Sequence, residues 1–366
     1  MGSIKRKFGN NITSGKFDAT DLTGTIPASN VANASLTSVT ALPGISGDFI
    51  QTVASDPPAP SFGDIWYNST EQKVKLLGLT VGSWATGGNL ATANQEFVAL
   101  GTQTAALQAG GEIVPGGNNP PYTSATEEYN GTSWTGGGSI PTPTGGIGGC
   151  GIQTAALAGG GETPGGISAT SFEYDGSTWS PSNPLNTGRF KFATAGTQTA
   201  GLFFGGNTTV VTGVTEEYNG TSWTNSNNLI LARVFLAGAG IQTAALAFGG
   251  GGPAVPGNTG ATEGYDGTSW TTLAGSLNTA RSGLAGAGTQ TAAVAFGGSG
   301  PTGATEEYNG VSWTSSPASM STARSGLGGA GTQASALAFG GNTGTRSTAT
   351  EEWTGAAPVV RSIQGS

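Results

Sequence analysis

The sequence predicts an all-β fold assembled from repeated four-stranded units. Three observations predict it: a very high glycine content, almost no charge, and an internal phrase that returns six times. The chain has 366 residues, of which 66 are glycine and 18 proline, while charged residues make up only 9%. Glycine costs about 1 kcal/mol per helical position relative to alanine, and too few Glu/Lys pairs exist to offset it, so helical and coiled-coil architectures are excluded. The glycines keep no every-third-residue rule, which excludes a collagen-like helix. Charge-driven disorder requires low hydrophobicity and high net charge. This chain is 36% apolar, contains eight Trp and 14 Phe, and carries a formal charge of −8.

The phrase GTQTAAL or a close variant begins at Gly101, Gly151, Gly196, Gly240, Gly288 and Gly331. Each copy is followed by a Gly-Gly pair and then by an aromatic at Tyr129, Tyr174, Tyr218, Tyr265, Tyr308 or Trp353. In the first five copies a tryptophan closes the unit five residues later, at Trp134, Trp179, Trp223, Trp270 and Trp313. The start of the phrase and the second glycine of the pair are 10 residues apart in every copy, and each Trp precedes the next phrase by 17 or 18. Only the stretch between Gly-Gly and the aromatic changes by more than one residue, from 10 to 18. A fixed frame with one elastic loop is the signature of a scaffold with one permissive edge.

Within a unit, stretches such as ARSGLAGAG and TAAVAFGG, separated by Thr-Gln, predict a first hairpin of small side chains suited to crowded inner strands. ATEEYNGVSW predicts a second, and its Asn-Gly or Asp-Gly (Asn130-Gly131, Asp175-Gly176, Asn219-Gly220, Asp266-Gly267, Asn309-Gly310) predicts a type I′ turn. Four strands per 43 to 50 residues, six times over, predict a six-bladed β-propeller. The expected organisation is an extended N-terminal segment over 1–60, a connecting β-hairpin over 61–80, and the propeller over 81–366. Trp84 lies 17 residues before Gly101, the offset of the other tryptophans, whereas Pro358 stands where the sixth unit needs its closing Trp. Residues 81–86 are therefore expected to supply the outer strand of the sixth blade. The alternative is that 357–363 forms it.

Arg189, Arg233, Arg281 and Arg324 ahead of the first strand, Gly-Gly at the end of the second, and the spaced Tyr and Trp resemble the kelch repeat. The resemblance covers about three quarters of the chain, and the first two units depart from it with Asn94 and Thr144 in place of Arg. The N-terminal texture, a GTIPASNV shaft followed by GDIWYN, resembles the virion-attachment ends of tailed-bacteriophage fibre proteins. TEEYNGTSW and GTQTAALAFGG resemble repeats in structural proteins of phages that infect cyanobacteria and other aquatic bacteria. The resemblance implies a virion protein assembled in the host cytoplasm, a tail or head fibre docking to other virion proteins through its N-terminal segment. It also implies a homo-oligomer, a trimer as in many fibres, with a distal propeller that attaches to host-surface glycan. Two alternatives stand beside it: a glycan-degrading propeller enzyme and a purely structural capsid or tail decoration.

Chemistry in the sequence is sparse. There is no histidine, which removes the common zinc sites and His-activated nucleophiles, so no cofactor, metal site or enzymatic activity is expected. Glu127-Glu128, Glu216-Glu217, Glu306-Glu307 and Glu351-Glu352 are paired carboxylates, but neighbours on a strand point to opposite faces and cannot flank one glycosidic bond. One Glu of each pair is instead expected to meet a repeated Arg. Cys150 aligns with Ala195, Ala239, Ala287 and Ala330 and is expected to be a small buried residue. The acidic residues concentrate after position 90, which disfavours nucleic acid as a partner, and no apolar run reaches the length for membrane insertion. Candidate receptor-facing residues are Asn118, Asn119, Tyr122, Asn207, Asn258 and Arg346, all in the elastic loops. Arg189, Arg233, Arg281, Arg324, Tyr129, Trp134 and Trp84 are expected to be structural.

Overall fold

The computed structural model describes residues 51–61, 63–113, 121–252 and 255–363. Asn118, Asn119 and nearly all of the expected 1–60 segment lie outside the described residues. No helix occurs among the described residues, and the strands fall into two compact units, one drawn from Met1–Thr80 with Ala356–Ser366 and the other from Val81–Gly355.

The described residues of the first unit form one four-stranded sheet in the order Gln51–Val53, Ile65–Asn68, Lys73–Leu79, Pro358–Ile363. Its first pair is parallel and the other two are antiparallel. Trp66 is buried, and Asp56 organises the polar face, accepting from Lys75 Nζ (2.9 Å), Asn68 Nδ2 (2.9 Å) and Trp66 Nε1 (3.0 Å). These bonds, the one from Lys75 foremost, hold the Asp56 carboxyl down at about 2. The chain's last described strand belongs to this sheet, so the expected 81–366 boundary is drawn differently at its C-terminal end.

Among its described residues the second unit holds six four-stranded antiparallel sheets, propeller-like in their repetition. One of them runs Ala193–Thr197, Ala200–Phe204, Thr215–Tyr218, Trp223–Ser226. The sixth combines Gly328–Gly331, Ser335–Phe339 and Thr350–Thr354 with Ser83–Thr86, and sets Trp353 opposite Trp84. The innermost strands touch in cyclic order, Gly328–Gly331 returning to Val98–Gly101. Sheet-to-sheet clefts are filled by tryptophans lying on a phenylalanine of the sheet before: Trp270 on Phe204, Trp313 on Phe248 and Trp134 on Phe339, each 4.8 Å between ring centroids. Such aromatic pairs add about 0.5–1.5 kcal/mol beyond the area they bury.

The hairpin turns differ from expectation. Type I′ needs φ > 0 at both central residues. Here only the glycines, Gly131 (87°), Gly176 (91°), Gly220 (88°), Gly267 (90°) and Gly310 (88°), are left-handed. The preceding Asn or Asp uses its side chain instead: Asn130 Oδ1 accepts from Thr132 N (3.0 Å) and Ser133 N (2.9 Å), so a four-residue loop joins Tyr129 to Trp134.

Candidate functional site

Most of the residues that attract attention in the sequence are consumed by the frame. Arg189, Arg233, Arg281 and Arg324 are fully buried and pair with Glu216 (2.8 Å), Glu263 (2.8 Å), Glu306 (3.0 Å) and Glu351 (2.9 Å). Each of these carboxylates also accepts two backbone N–H groups, as Glu263 does from Ile230 and Leu231. The next Glu along the strand faces the opposite way, and in four sheets it takes a tyrosine hydroxyl from the following sheet; Glu307 does not, because the sixth sheet has Trp353 at the Tyr position. Tyr174 donates to Glu128 (2.6 Å), Tyr218 to Glu173, Tyr265 to Glu217, and Tyr129 to Glu352 (2.6 Å), the last joining the first sheet to the sixth. Burial first, and the carboxylate second, push Tyr129, Tyr174 and Tyr265 up to about 12.

Trp84 and Trp134 donate their indole N–H to Thr305 Oγ1 (2.9 Å) and Thr350 Oγ1 (3.0 Å). Cys150 is buried, its Sγ 3.3 Å from the Thr197 carbonyl oxygen. The glutamine of the repeated phrase, which the sequence reading passed over, is the most regular element of all. Gln103, Gln153, Gln198, Gln242, Gln290 and Gln333 each donate two bonds from Nε2 to backbone carbonyls of the preceding sheet.

What remains is a ring that no sequence motif announces. Two residues ahead of each innermost strand the backbone turns left-handed: φ is 55° at Glu96, 59° at Gly146, 58° at Lys191, 57° at Phe235, and 60° at both Gly283 and Gly326. Each of the six donates its N–H to the carbonyl of the one before. The bonds measure 2.8 Å for Gly146 to Glu96, Lys191 to Gly146, Gly283 to Phe235 and Gly326 to Gly283, and 3.0 Å for Phe235 to Lys191 and Glu96 to Gly326. The circle of backbone hydrogen bonds therefore closes on itself. Glycine adopts this conformation freely, but a residue with a Cβ is held there at about 1–2 kcal/mol. Three of the six places carry that strain.

The ring rims a pocket of ≈ 110 Å³ whose wall includes Glu96, Lys191, Phe235, Leu236, Leu284 and Leu327. Lys191 Nζ lies 3.2 Å from Glu96 Oε2, 4.6 Å from the centroid of the Phe235 ring and 5.4 Å from that of Phe190. Burial raises the Glu96 carboxyl above its ordinary range, against the pull of Lys191.

The elastic loops open beside this ring. In five of the six units the residue just before the ring position pairs with the first residue after Gly-Gly: Gln95 with Glu112, Gly145 with Glu162, Phe190 with Asn207, Val234 with Gly251 and Ser325 with Asn342. Candidate residues in these loops are less free than expected. Arg346 is half-buried, with its guanidinium paired to Glu112 at 2.8 Å. Glu112 Oε2 in turn accepts from Gln95 Nε2 (2.9 Å), which also reaches Glu96 Oε1 (3.2 Å), so a polar chain runs from Arg346 to the pocket. Tyr122 is half-buried with its ring over Gly145, and burial together with the nearby Glu162 carboxylate raises its hydroxyl. Asn207 is half-buried and held through its backbone beside Lys191 by the bridge to Phe190. Asn258 is exposed and donates to Ser299 Oγ at 2.7 Å. The structure thus brings Arg346 into the pocket's network and leaves Asn258 apart from it.

Among the described residues no cluster of His, Cys, Asp and Glu is arranged to hold a metal ion. No protein-family model matches the chain, and no curated protein matches it either.

Proposed function

We propose that the chain is a virion structural protein, a tail or head fibre of a phage, whose six repeats form a kelch-like propeller that attaches to host-surface glycan. One observation carries the reading: the repeated Arg and Gln and most of the repeated Glu and Tyr are spent on holding the frame, while nearly all length variation is confined to the loops that open beside the ringed pocket. A rigid frame presenting variable loops round a fixed depression is the arrangement of a recognition surface. The phage assignment itself rests on the resemblance of the TEEYNGTSW and GTQTAALAFGG phrases and of the N-terminal texture. In this reading Ser83–Thr86 pins the first repeat to the last, so that load on the fibre does not open the ring.

Adsorption of the labelled full chain to a panel of cyanobacterial and other aquatic bacterial cells tests it. Saturable adsorption that is abolished by stripping envelope polysaccharide is expected. Absence of adsorption across the panel would reject attachment. Release of reducing sugar from the envelope, lost on changing a single acidic residue, would replace it with a hydrolase.

A further inference from the structure

We infer that the ringed pocket is a binding site for one neutral hexopyranose unit, held by Glu96, Lys191 and Phe235. The inference rests on the attachment reading and names the chemistry that would be recognised. Its starting point is the uneven occupancy of the ring. Glycine satisfies the left-handed geometry at Gly146, Gly283 and Gly326 without strain, so the backbone circle has no need of a side chain at any of its places. Yet three places bear one, and the three are a carboxylate, an ammonium and an aromatic ring gathered on one pocket. Strain retained where a relaxed solution exists points to a use for the side chain.

The ligand class follows from what the pocket offers. Backbone N–H and C=O groups of the six ring residues are already bonded to one another, and Lys191 and Glu96 are the charged side chains that line the space. Their charges cancel at 3.2 Å, so an anionic ligand on Lys191 would confront Glu96 and a cationic one on Glu96 would confront Lys191. A hydroxyl group accepts from the ammonium and donates to the carboxylate without disturbing the pair. The remaining wall, Phe235, Leu236, Leu284 and Leu327, is apolar and suits the C–H face of a sugar ring. The volume, ≈ 110 Å³, is smaller than the roughly 150 Å³ cavity that encloses a benzene ring, so the pocket seats one face of the sugar ring and leaves the rest standing in its open mouth.

Titration of the full chain with D-glucose, D-galactose and D-mannose, followed by saturation-transfer NMR and Phe235-region chemical shifts, is the test. At least one hexose is expected to saturate, with more than tenfold weaker binding in Lys191→Met and in the triple variant Glu96→Gly, Lys191→Gly, Phe235→Gly. The triple variant is expected to keep its circular dichroism spectrum, because glycine fits all three places. Should it fail to fold, Lys191→Met alone decides. No saturation by any of the three hexoses, unchanged affinity in the variants, or equally tight binding of D-glucuronate or D-glucosamine would each overturn the inference. A chain that adheres to cells yet ignores hexoses would sink this site and leave attachment standing. A chain that binds hexose but no cell would do the reverse.

Discussion

The third to sixth sheets and the second solve one packing problem in opposite ways. In the four later sheets a buried Arg meets a buried Glu; in the second, Thr144 and Phe172 occupy the same two places, Phe172 lying opposite Ala158 just as Glu263 lies opposite Ala247. Both partners have changed together, so no charge is stranded. The first sheet is the half-way case: Asn94 replaces the Arg, Glu127 persists, and it keeps only the backbone N–H groups of Ala91 (2.7 Å) and Thr92 (3.1 Å). Meanwhile Asn94 Nδ2 and Gln108 Nε2 both turn to the Gly110 carbonyl. The difference teaches that the ion pair is one filling of the corner and not a condition of the fold. Desolvating two charges offsets much of their attraction, and the Nε of each of the four arginines has no partner among the described residues.

The comparison breaks most visibly when one partner is removed alone. Arg233→Met leaves Glu263 buried without its guanidinium, and a loss of about 3–5 kcal/mol in denaturant unfolding is expected. Combining Arg233→Thr with Glu263→Phe, the second sheet's own solution, should return to within about 1–2 kcal/mol of the parent. A double variant as unstable as the sum of its singles would show that the second sheet's corner depends on something else.

Alkaline titration strands charge at the sheet-to-sheet seams in a similar way. Tyr129, Tyr174 and Tyr265 sit at about 12, against an ordinary value of about 10 in an unfolded chain. Their neutral hydroxyls therefore contribute stability that is complete below pH about 10 and lost as pH climbs through about 12. Thermal melts that stay flat over this window would refute the seam bonds. Tyr129→Phe, which removes one ionising group, should shallow the slope.

The corner pairing was legible in the sequence because the Arg and the first Glu recur at fixed addresses. The second hairpin was legible in place but not in type, since the Asn and Asp side chains bond to the turn and make a second left-handed residue unnecessary. The glutamine role was hidden although the residue repeats without exception, because its bonds end on carbonyls of another repeat, and carbonyls carry no sequence. The axial ring was invisible for a different reason. Its members are Glu, Gly, Lys, Phe, Gly and Gly, so what recurs is a dihedral angle and not a residue type. The contact of Arg346 with Glu112 was hidden because the two residues are brought together only by cyclic closure.

The glutamines sharpen the comparison as its control. Corners differ between sheets, but the double bond from Gln to the preceding sheet is common to all. Gln153→Leu, in the second sheet, and Gln242→Leu, in the fourth, should therefore cost alike, about 1–3 kcal/mol each, since two carbonyls lose their partner in both. Unequal losses would mean that the corner chemistry reaches the seam.

The smallest expected effect lies where a pair is already half missing. Gly264 stands where the other sheets carry the second Glu, and the Tyr308 hydroxyl that should reach it is buried without a partner among the described residues. A Cβ at Gly264 would come within 3.3 Å of Leu273 Cδ1, the end of a movable side chain, and 3.4 Å of Gln290 Nε2, at the edge of ordinary van der Waals contact, and the strand's backbone is not left-handed there. Gly264→Glu should thus supply the acceptor that Tyr174 finds in Glu128, and stabilise by about 1 kcal/mol. Removing a strand glycine contributes about 0.5–1 kcal/mol by itself, so Gly264→Ala is the reference. The decisive quantity is the excess of Glu over Ala, and whether it vanishes in a Tyr308→Phe background. An excess that survives the loss of the hydroxyl would arise from surface charge or packing, and the seam would have to be explained without the hydrogen bond.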